Sequence, residues 1–477
     1  MPQQNWRKRF AGRAERTRSA YLLAAAAILH LSVTVLINLT GRFDLPPHIF
    51  DRNGISRALA LDSFTYRRKS IELVSALAGG NLQDWLSAPF PLHVKLYSLS
   101  FALLSPVFGF SMLSVEPLNL FYYVSIIVLV YKTGLEVMER RAAIVAALVV
   151  ACWPSLLLHT TQLLRDPLLI AATLLIVLVG TRWLTRRHTL GQGLLSALAA
   201  GAASAVVWVT RYNMWEILIL FTLTGAVLLI ARQLRERGWL TGNLLSAALL
   251  LLMLGGIPTV VGTFMLPDAH LNIPEAVELP PTPPCPDEMP GAASAPPLTA
   301  QSGLWARLMA RADAAVLQLG QLRWRYTMFY ADAGSNMDAC VRLSSLRDLL
   351  NYLPRAVAHG FLAPYPSMWI TSGSMVGRSG RILSGVEMVG MYVVEALAVV
   401  GLWSGRRRLP VWFIAVVALT GIIALGLVAV NMGVLFRLRY VFAILLVILG
   451  SGGALEVLSW WDAKRRERAK ASAQASA

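Results

Sequence analysis

Long apolar runs with almost no charge recur along this chain and are separated by shorter polar or charged stretches. Ten of these runs are about long enough to cross the ~30 Å hydrocarbon core of a bilayer as a helix. They lie near residues 20–39, 117–131, 142–162, 167–181, 190–209, 215–231, 243–265, 385–404, 411–432 and 440–459. Only helices and closed barrels satisfy the backbone polar groups in lipid. The pattern therefore predicts an all-α, polytopic membrane protein with about ten transmembrane helices plus interfacial helices.

Composition supports this prediction, because 56% of the residues are hydrophobic and only 14% are charged. Six flanks hold 23 Lys and Arg against 6 Asp and Glu, which equals the whole formal net charge of +17. These flanks are 7–18, 132–141, 182–187, 232–237, 406–408 and 462–470. By the positive-inside rule they are cytoplasmic, as are both termini. The basic balance thus indicates membrane topology and not nucleic-acid binding, since no basic patch interleaved with aromatic residues accompanies it.

The apolar segment 90–112 interrupts this alternation. Counting it as an eleventh span would move the second basic flank outside and break the charge rule at most of the later loops. The segment also contains His93, Lys95 and two prolines, which suit a helix lying at the membrane surface. We expect an interfacial or re-entrant segment here, with a crossing helix as the alternative.

The map divides the chain into successive parts, and the largest is a transmembrane module at 20–231. The parts are a basic cytoplasmic N-terminus 1–19, the module 20–231 with its outer loop 40–116, a further span 232–265, a long extracytoplasmic loop 266–384, C-terminal spans 385–460 and a basic cytoplasmic tail 461–477. The N-terminus is basic and then apolar without a small-residue cleavage site, so we interpret it as a retained signal-anchor helix.

The long loop opens with a proline-rich stretch from Pro267 to Pro297, which we expect to be irregular. An amphipathic helix is predicted at 304–330, entered from Ser302 as its N-cap. The segment 349–370, punctuated by proline and aromatic residues, is interpreted as interfacial or re-entrant.

The chain has three cysteines. Cys152 falls within a predicted span and is interpreted as a packing residue. Cys285 and Cys340 both fall in the long outer loop, where an oxidising compartment would allow a disulfide between them. Two unpaired thiols are the alternative.

Charged residues near helix ends mark the candidate chemistry, because an unpaired charge is expensive in lipid. Those predicted at the outer face, with the tyrosines beside them, are Asp62, Tyr66, His93, Lys95, Tyr97, Arg165, Asp166, Arg211 and Tyr212. Each has an ordinary alternative: either carboxylate could cap a helix, His93 could be satisfied at the interface, Lys95 could snorkel, and Arg211 could contact lipid headgroups. The joint placement of two carboxylates and several cations at one membrane face is what predicts a site.

The order of these features resembles the GT-C glycosyltransferases, in particular the family 39 and 83 branch of protein O-mannosyltransferases and the lipid A aminoarabinose transferase. Residues 62–66 (DSFTY) are similar to the acidic motif and tyrosine that open the family's first outer loop. Residues 93–97 (HVKLY) are similar to its His-Pro-Pro-Leu-Tyr motif, and Asp166 stands at its later outer acidic position. The resemblance covers roughly 15–230. The second acid of the first motif is replaced by Ser63, and both prolines of the next motif are absent, which leaves substrate and metal use open.

This resemblance implies a GT-C fold and a hexosyl- or pentosyltransferase that takes its sugar from a polyprenyl phosphate. The acceptor would be a lipid, a glycan or a protein. The site would lie at the periplasmic or extracellular face of a bacterial inner (plasma) membrane. No P-loop or Rossmann fingerprint is visible in the sequence, which fits a donor that is reached from within the membrane.

The chemistry assigns roles to these residues. A partly desolvated Asp62 would act as the base for the acceptor hydroxyl or amine, and Asp166 would orient a cation or bind acceptor. The remaining roles are donor-phosphate binding by Arg165, Arg211 and Lys95, and substrate binding by Tyr66, His93, Tyr97 and Tyr212. A divalent metal held by Asp62 and Asp166 suits the preference of hard cations for carboxylates, but nothing in the sequence compels one.

Two other classes of function remain open at this point, besides a non-enzymatic assembly protein. An O-antigen ligase or polymerase would use residues of the long loop, namely Arg323, Arg325, Arg355 and His359. A transporter or flippase would place ionisable residues within the spans. The candidates for that reading are Glu387, Glu395 and His30.

Overall fold

A computed structural model describes residues 2–45, 49–57, 61–264, 304–330, 335–370 and 377–475. Within these ranges the regular structure is helical, apart from two isolated β-bridges. The helices are α1 (Pro2–Arg42), α2 (Leu61–Ala78), α3 (Leu82–Ser87), α4 (Leu92–Phe108), α5 (Met112–Val137), α6 (Arg140–Ala151), α7 (Pro154–Thr160), α8 (Asp166–Thr185), α9 (Leu190–Arg211), α10 (Trp215–Glu236), α11 (Thr241–Phe264), α12 (Leu304–Phe329), α13 (Leu346–Leu362), α14 (Gly377–Ser404), α15 (Leu409–Val428), α16 (Met432–Leu438) and α17 (Tyr440–Ala475).

Local sequence signals explain where the helices next to the site begin and end. α8 starts at Asp166 and has Pro167 in its first turn, where a missing N–H and a fixed φ are tolerated. α9 is entered through a capping box formed by Thr189 and Gln192. It ends at Arg211, where a short 3₁₀ turn reverses the chain into α10.

Eight stretches of the described residues are long and apolar enough to cross a membrane, or nine if the bent pair α6–α7 is one span. One of the eight, Leu190–Glu236, contains both α9 and α10. These two helices run in opposite directions, because Glu236 at the end of α10 lies 2.9 Å from Arg187, just before α9. Counting α9 and α10 separately gives nine passes in the described residues, or ten if the bent pair α6–α7 is also one pass. The prediction of an all-α, polytopic membrane protein is confirmed.

The two ends of the bundle differ in charge. At one end, Arg186 after α8 lies 2.7 Å from Glu136 of α5. Gly452 of α17 packs against Met138 at the same end, so the charged continuation 462–470 leaves from there. We call this the basic end. The opposite end, where α1 finishes and where α8 and α17 begin, is called the site end.

The segment 90–112, expected to lie along the membrane, forms α4 and the turn after it. Both ends of α4 contact α2: Ser70 donates to the Val94 carbonyl at 3.2 Å, and Arg67 donates to the Phe110 carbonyl at 2.7 Å. Because Arg67 and Ser70 are one helical turn apart, α4 stays at the site end and does not travel to the basic end.

The first half of α17 lies inside the bundle. α14 crosses it closely: a Cβ atom at Gly453 would lie 1.9 Å from the Leu397 carbonyl oxygen, and one at Gly401 would lie 2.1 Å from the Leu449 carbonyl oxygen. Small residues permit such close approach, which is a common way for helices to pack in lipid. This crossing fixes where α17 starts at the site end.

Polar side chains inside the bundle are paired with one another. His30 Nδ1 lies 2.8 Å from Glu116, which also accepts a hydrogen bond from Thr34, and His30 Nε2 lies 3.2 Å from Thr160. Since lipid offers no hydrogen-bond partner, this buried cluster joins α1 to α5 and α7. His30 therefore has a structural role in the bundle.

In the long loop, α12 confirms the helix predicted at 304–330, and α13 accounts for the first part of 349–370. Ser302 and the proline-rich stretch lie outside the described residues. Cys285 does too, so its disulfide with Cys340 stays a prediction.

We predict that the site end faces away from the cytoplasm. A cysteine at Ser87, exposed at the site end, should react with a membrane-impermeant maleimide in intact cells, whereas a cysteine at Arg407, between α14 and α15, should react only after lysis. A chain with Cys152→Ser removes the free thiol and serves as the background. Labelling of position 407 alone would reverse the orientation.

Candidate active site

The turn between α7 and α8 is held by residues from three other segments. Gln162 in this turn exchanges hydrogen bonds with the backbone of residues 54–56, at 2.9 and 3.1 Å. Ser63 of α2 and Tyr97 of α4 each donate to a carbonyl oxygen of the turn at 3.0 Å. Buried backbone groups need such partners. These bonds fix the chain immediately before Asp166.

Arg437, in the short helix α16, lies between the two carboxylates predicted from the sequence. Its guanidinium is 3.1 Å from Asp62 and 3.1 Å from Asp166. Arg211, at the end of α9, lies 3.9 Å from the other oxygen of Asp166. Asp166 is 2% exposed, whereas the Asp62 side chain is 45% exposed. Asp166 is thus the buried anchor of the cluster, and Asp62 is its accessible carboxylate.

Arg165 completes the charged cluster, and it donates to the Thr210 carbonyl at 3.4 Å, next to Arg211. Burial would lower the pKa of Arg165, but nearby Tyr66 and Asp166 offset it and raise that pKa. Likewise, the facing carboxylates raise the pKa of Arg437 despite its burial. The site therefore holds three guanidinium groups against two carboxylates. It keeps an excess of one positive charge in a largely buried place.

Tyr66 and His93 form a neutral layer beside these charges, with ring centroids 4.4 Å apart in an edge-to-face contact. Burial lowers the pKa of His93 well below its usual value, and the charge of Arg165 lowers it further. Burial also raises the pKa of Tyr66. Neither ring nitrogen of His93 has a hydrogen-bond partner among the described residues. The histidine is therefore neutral, with two unused polar atoms.

The structure brings together most of the residues that the sequence singled out. They are Asp62, Tyr66, His93, Arg165, Asp166 and Arg211. Tyr97 lies behind them, supporting the turn before α8. Tyr212 lies at the edge, where its hydroxyl meets Arg325.

Lys95 is not brought into the cluster, contrary to the role in phosphate binding predicted for it. Its ammonium donates to the Leu86 carbonyl at 2.7 Å and lies 6.0 Å from the Trp85 ring. The reason is helical phase, since a step of two residues turns about 200° around the axis and separates Lys95 from His93.

The sequence analysis missed Arg437 and Tyr330. Burial raises the pKa of Tyr330. The charges of Arg437 and Asp62 also act on this pKa, which places Tyr330 beside the cluster. One feature of the sequence could have indicated Arg437. Arg437 and Arg439 both lie in a short turn that the topology places outside, where the positive-inside rule predicts few cations. Arg439 has another task, since it donates to the three carbonyls of residues 360, 361 and 363 at 3.0 Å and so satisfies the end of α13.

Three of the four residues considered for a ligase-type site form a second cluster around Asp338, whereas Arg325 lies at Tyr212. Arg355 and His359 each lie 2.6 Å from its carboxylate, and the Tyr365 hydroxyl lies 2.8 Å from His359 Nδ1. The buried Arg323 donates to the Asp338 carbonyl at 2.7 Å. This cluster ties α12 to α13 and to the turn after it.

The charged cluster fits a divalent metal poorly. The guanidinium of Arg437 faces both Asp62 and Asp166, and two further arginines surround Asp166. No group of three or more His, Cys, Asp or Glu in the described ranges is arranged to hold a metal ion. We assign no step to a metal.

An apolar groove of about 880 Å³ runs along α5, α8 and α9 on the side of the bundle. Its lining includes Pro117, Phe121, Leu168, Leu175 and Val206. Leu168 is two residues after the anchor carboxylate on α8, and Val206 is five residues before the arginine that ends α9. Measured along the helix axes, the groove starts within about two turns of the charged cluster, while helical phase puts Leu168 about 200° around α8 from Asp166.

No protein-family model and no curated protein matches this chain. Among solved structures it is similar to ArnT from Cupriavidus metallidurans bound to undecaprenyl phosphate. The sequences are 14% identical, the match covers 90% of this chain and 77% of that one, and the TM-score is 0.36. At this TM-score the likeness carries neither family nor function to this chain.

Removal of the Arg437 guanidinium should leave Asp166 buried without its closest cation. Loss of one partner of a buried pair costs about 3–5 kcal/mol, so Arg437→Gln should lower the melting temperature strongly. Asp62→Asn should lower it less, because Asp62 is half exposed. Adding Asp166→Asn to Arg437→Gln should recover part of the loss, as a double-mutant cycle in detergent would show. Strictly additive losses would mean that the two side chains do not interact.

His93 should make stability depend on pH. Its pKa is lowered in the folded chain, so below the ordinary value of about 6.5 the unfolded chain binds a proton that the folded chain does not. Stability should then fall as the pH drops, by about 2 kcal/mol from this group between pH 8 and pH 5. His93→Phe keeps an aromatic contact with Tyr66 and should flatten the pH dependence of unfolding by that amount. An identical pH dependence in both proteins would contradict this assignment.

Proposed function

We propose that this chain is an integral-membrane glycosyltransferase that moves a sugar from a polyprenyl-phosphate donor to a lipid, glycan or protein acceptor. The observation that carries the proposal is an excess of buried guanidinium over carboxylate at the ends of α8 and α9, the two helices that also line an apolar groove. The proposal places the site at the outer face of a bacterial inner membrane, because the basic flanks gather at the opposite end of the bundle.

The charge of the cluster favours an anionic ligand. Three guanidinium groups face two carboxylates, and among the described residues the Nε atoms of Arg211 and Arg437 are buried without a hydrogen-bond acceptor of good geometry. A phosphate would offset the excess positive charge and use the donors, since guanidinium binds phosphate oxygens in bidentate fashion.

The groove favours an anion with a long apolar tail. Its lining between α5, α8 and α9 is almost wholly apolar, and Phe121 on its edge is 64% exposed, so the groove is reached from the side of the bundle. A ligand with its phosphate at Arg211 could lay its chain along Val206 and Leu168. Burying such a chain contributes roughly 25 cal/mol per Å² of apolar area. A polyprenyl phosphate satisfies both requirements at once.

The transfer step uses the accessible carboxylate. As the acceptor oxygen bonds to the anomeric carbon, Asp62 takes the acceptor proton. The bond between that carbon and the phosphate oxygen breaks, and the lipid phosphate leaves with the electron pair. The nearby arginines stabilise the negative charge that develops on it. Asp166, buried between Arg211 and Arg437, holds those cations in place.

The donor proposal predicts selective binding of undecaprenyl phosphate by the protein in nanodiscs. Binding should exceed that of undecaprenol, which lacks the phosphate, and of a soluble nucleotide sugar. Arg211→Gln should weaken it at least tenfold, which corresponds to about 1.4 kcal/mol. Arg355→Gln, in the second cluster, should leave it unchanged and serves as the matched control. Equal binding of undecaprenol, or turnover of a nucleotide sugar without lipid carrier, would overturn the proposal.

The base assignment is tested with a panel of undecaprenyl-phosphate hexoses and pentoses and membrane extract as acceptor. Asp62→Asn should retain donor binding and lose transfer by roughly 10²–10⁴-fold, the usual contribution of a positioned base. If Asp62→Asn is nearly silent and His359→Ala is severe, the ligase-type site in the long loop is the correct one.

A further inference from the structure

A chain of hydrogen bonds runs from the middle of α14 to His159 in α7, and the transfer step above does not use it. It starts at Glu387 and passes through Ser155 and Tyr440 to His159. The last three are at most 7% exposed. Burying polar groups inside an apolar bundle costs free energy unless each group has a hydrogen-bond partner. The arrangement of this network therefore calls for an explanation.

Glu387 sets the direction of this chain. Its carboxylate accepts from the Trp153 indole N–H at 3.1 Å and from the Ser155 backbone N–H at 2.7 Å, and both of these groups can only donate. It also accepts from the Ser155 hydroxyl. The Ser155 oxygen is then free to accept from the Tyr440 hydroxyl, which lies 2.7 Å away. Every hydrogen in the chain therefore points towards Glu387.

This direction fixes the tautomer of His159. Its Nδ1 lies 2.6 Å from the Ser155 carbonyl oxygen, which can only accept, and 3.2 Å from the Tyr440 oxygen, whose own hydrogen is already donated. Nδ1 must then carry the hydrogen. In the neutral ring, Nε2 consequently carries the lone pair.

The free lone pair lies in the electrostatic reach of the site. The charged side chains that act on His159 are Arg437 and Asp166, on α16 and α8, and the other groups packed on the ring are Ser155 and Tyr440. Nε2 makes no hydrogen bond to the described residues. It is also not fully buried. It is thus an accessible acceptor, although Arg437 and Asp166 themselves are committed to each other.

We infer that His159 binds the sugar of the donor, accepting a hydrogen bond from a sugar hydroxyl through Nε2, and that Glu387 is a positioning residue that reinforces, through Ser155 and Tyr440, the tautomer that the Ser155 carbonyl favours. This inference rests on the proposed function. It adds a side chain that would distinguish a lipid phosphate carrying a sugar from the same lipid phosphate without one. An imidazole acceptor held in one tautomer selects for a hydroxyl in one place, because a sugar without that hydroxyl leaves the site's polar atom unpaired.

The binding test compares undecaprenyl phosphate with the tightest-binding member of the hexose and pentose panel. His159→Asn keeps a donor near the Nδ1 position for the Ser155 carbonyl and removes Nε2. It should weaken the sugar-bearing lipid about five- to tenfold, the equivalent of one hydrogen bond, and leave undecaprenyl phosphate unchanged. Equal weakening of both lipids would indicate a structural role, and no weakening of either would exclude contact with the sugar. Either result overturns the inference.

Glu387→Ala should weaken the sugar-bearing lipid in the same direction, because the Ser155 and Tyr440 hydroxyls could then reverse and donate towards Nδ1. Glu395→Ala, two turns further along α14 and outside the chain, is the matched control and should change nothing. ¹⁵N NMR of histidine-labelled protein, with His159→Asn to assign the signal, should show hydrogen on Nδ1 in the native chain and a mixed population in Glu387→Ala. Hydrogen on Nε2 in the native chain would refute the inference. Failure of undecaprenyl phosphate to bind at all would instead refute the donor proposal, and the NMR result would stand separately.

Discussion

The site depends on one ionic interaction, the contact of the Arg437 guanidinium with Asp62 and Asp166. Arg437 and Asp62 are 375 residues apart in the sequence, and Asp166 begins a helix between them. A buried carboxylate is costly unless a cation faces it. The first loop, the start of α8 and the last turn before α17 must therefore come together for Asp166 to be buried at all. The crossing of α14 and α17 at their glycines, and the hydrogen bonds that hold the turn before α8, serve this geometry.

The same interaction shapes what the site can bind. Because two carboxylates are shared among three arginines, the cluster keeps an excess of positive charge in a place of low dielectric constant. A single phosphate would correct that imbalance far more strongly here than in water. The apolar groove lies along α8 and α9, the same helices that begin at Asp166 and end at Arg211, so charge and apolar surface are carried by the same two helices. This juxtaposition distinguishes the site from the second cluster around Asp338, whose polar atoms hold the segments of the long loop to one another.

Other polar groups inside the bundle show how an apolar protein keeps its few charges. Glu116 is paired with His30, and Arg439 is satisfied by three backbone carbonyls. The Glu387 carboxylate accepts hydrogen bonds from three donors at the break between α6 and α7. Each of these networks joins helices that the hydrophobic effect alone would not orient, since lipid competes equally well for apolar faces. The network at Glu387 does more than join helices. Because its carboxylate only accepts, the hydroxyl groups of Ser155 and Tyr440 must both donate in its direction.

The sequence by itself determined the helical membrane fold and the gathering of basic flanks at one end, and it favoured a surface position for the segment that forms α4. These follow from the length of the apolar runs and from the distribution of charge. Both act on membrane insertion without any tertiary contact. It also indicated Asp62, Asp166, Arg165 and Arg211, because charges at helix ends are rare in such a chain. Only the tertiary structure decided that Arg437 bridges the carboxylates, that Lys95 turns to another face, and that Glu387 directs the hydroxyl groups next to His159. Those facts depend on helical phase and on contacts between residues far apart in the chain. Neither is encoded in a local pattern, since each is settled only when the helices pack.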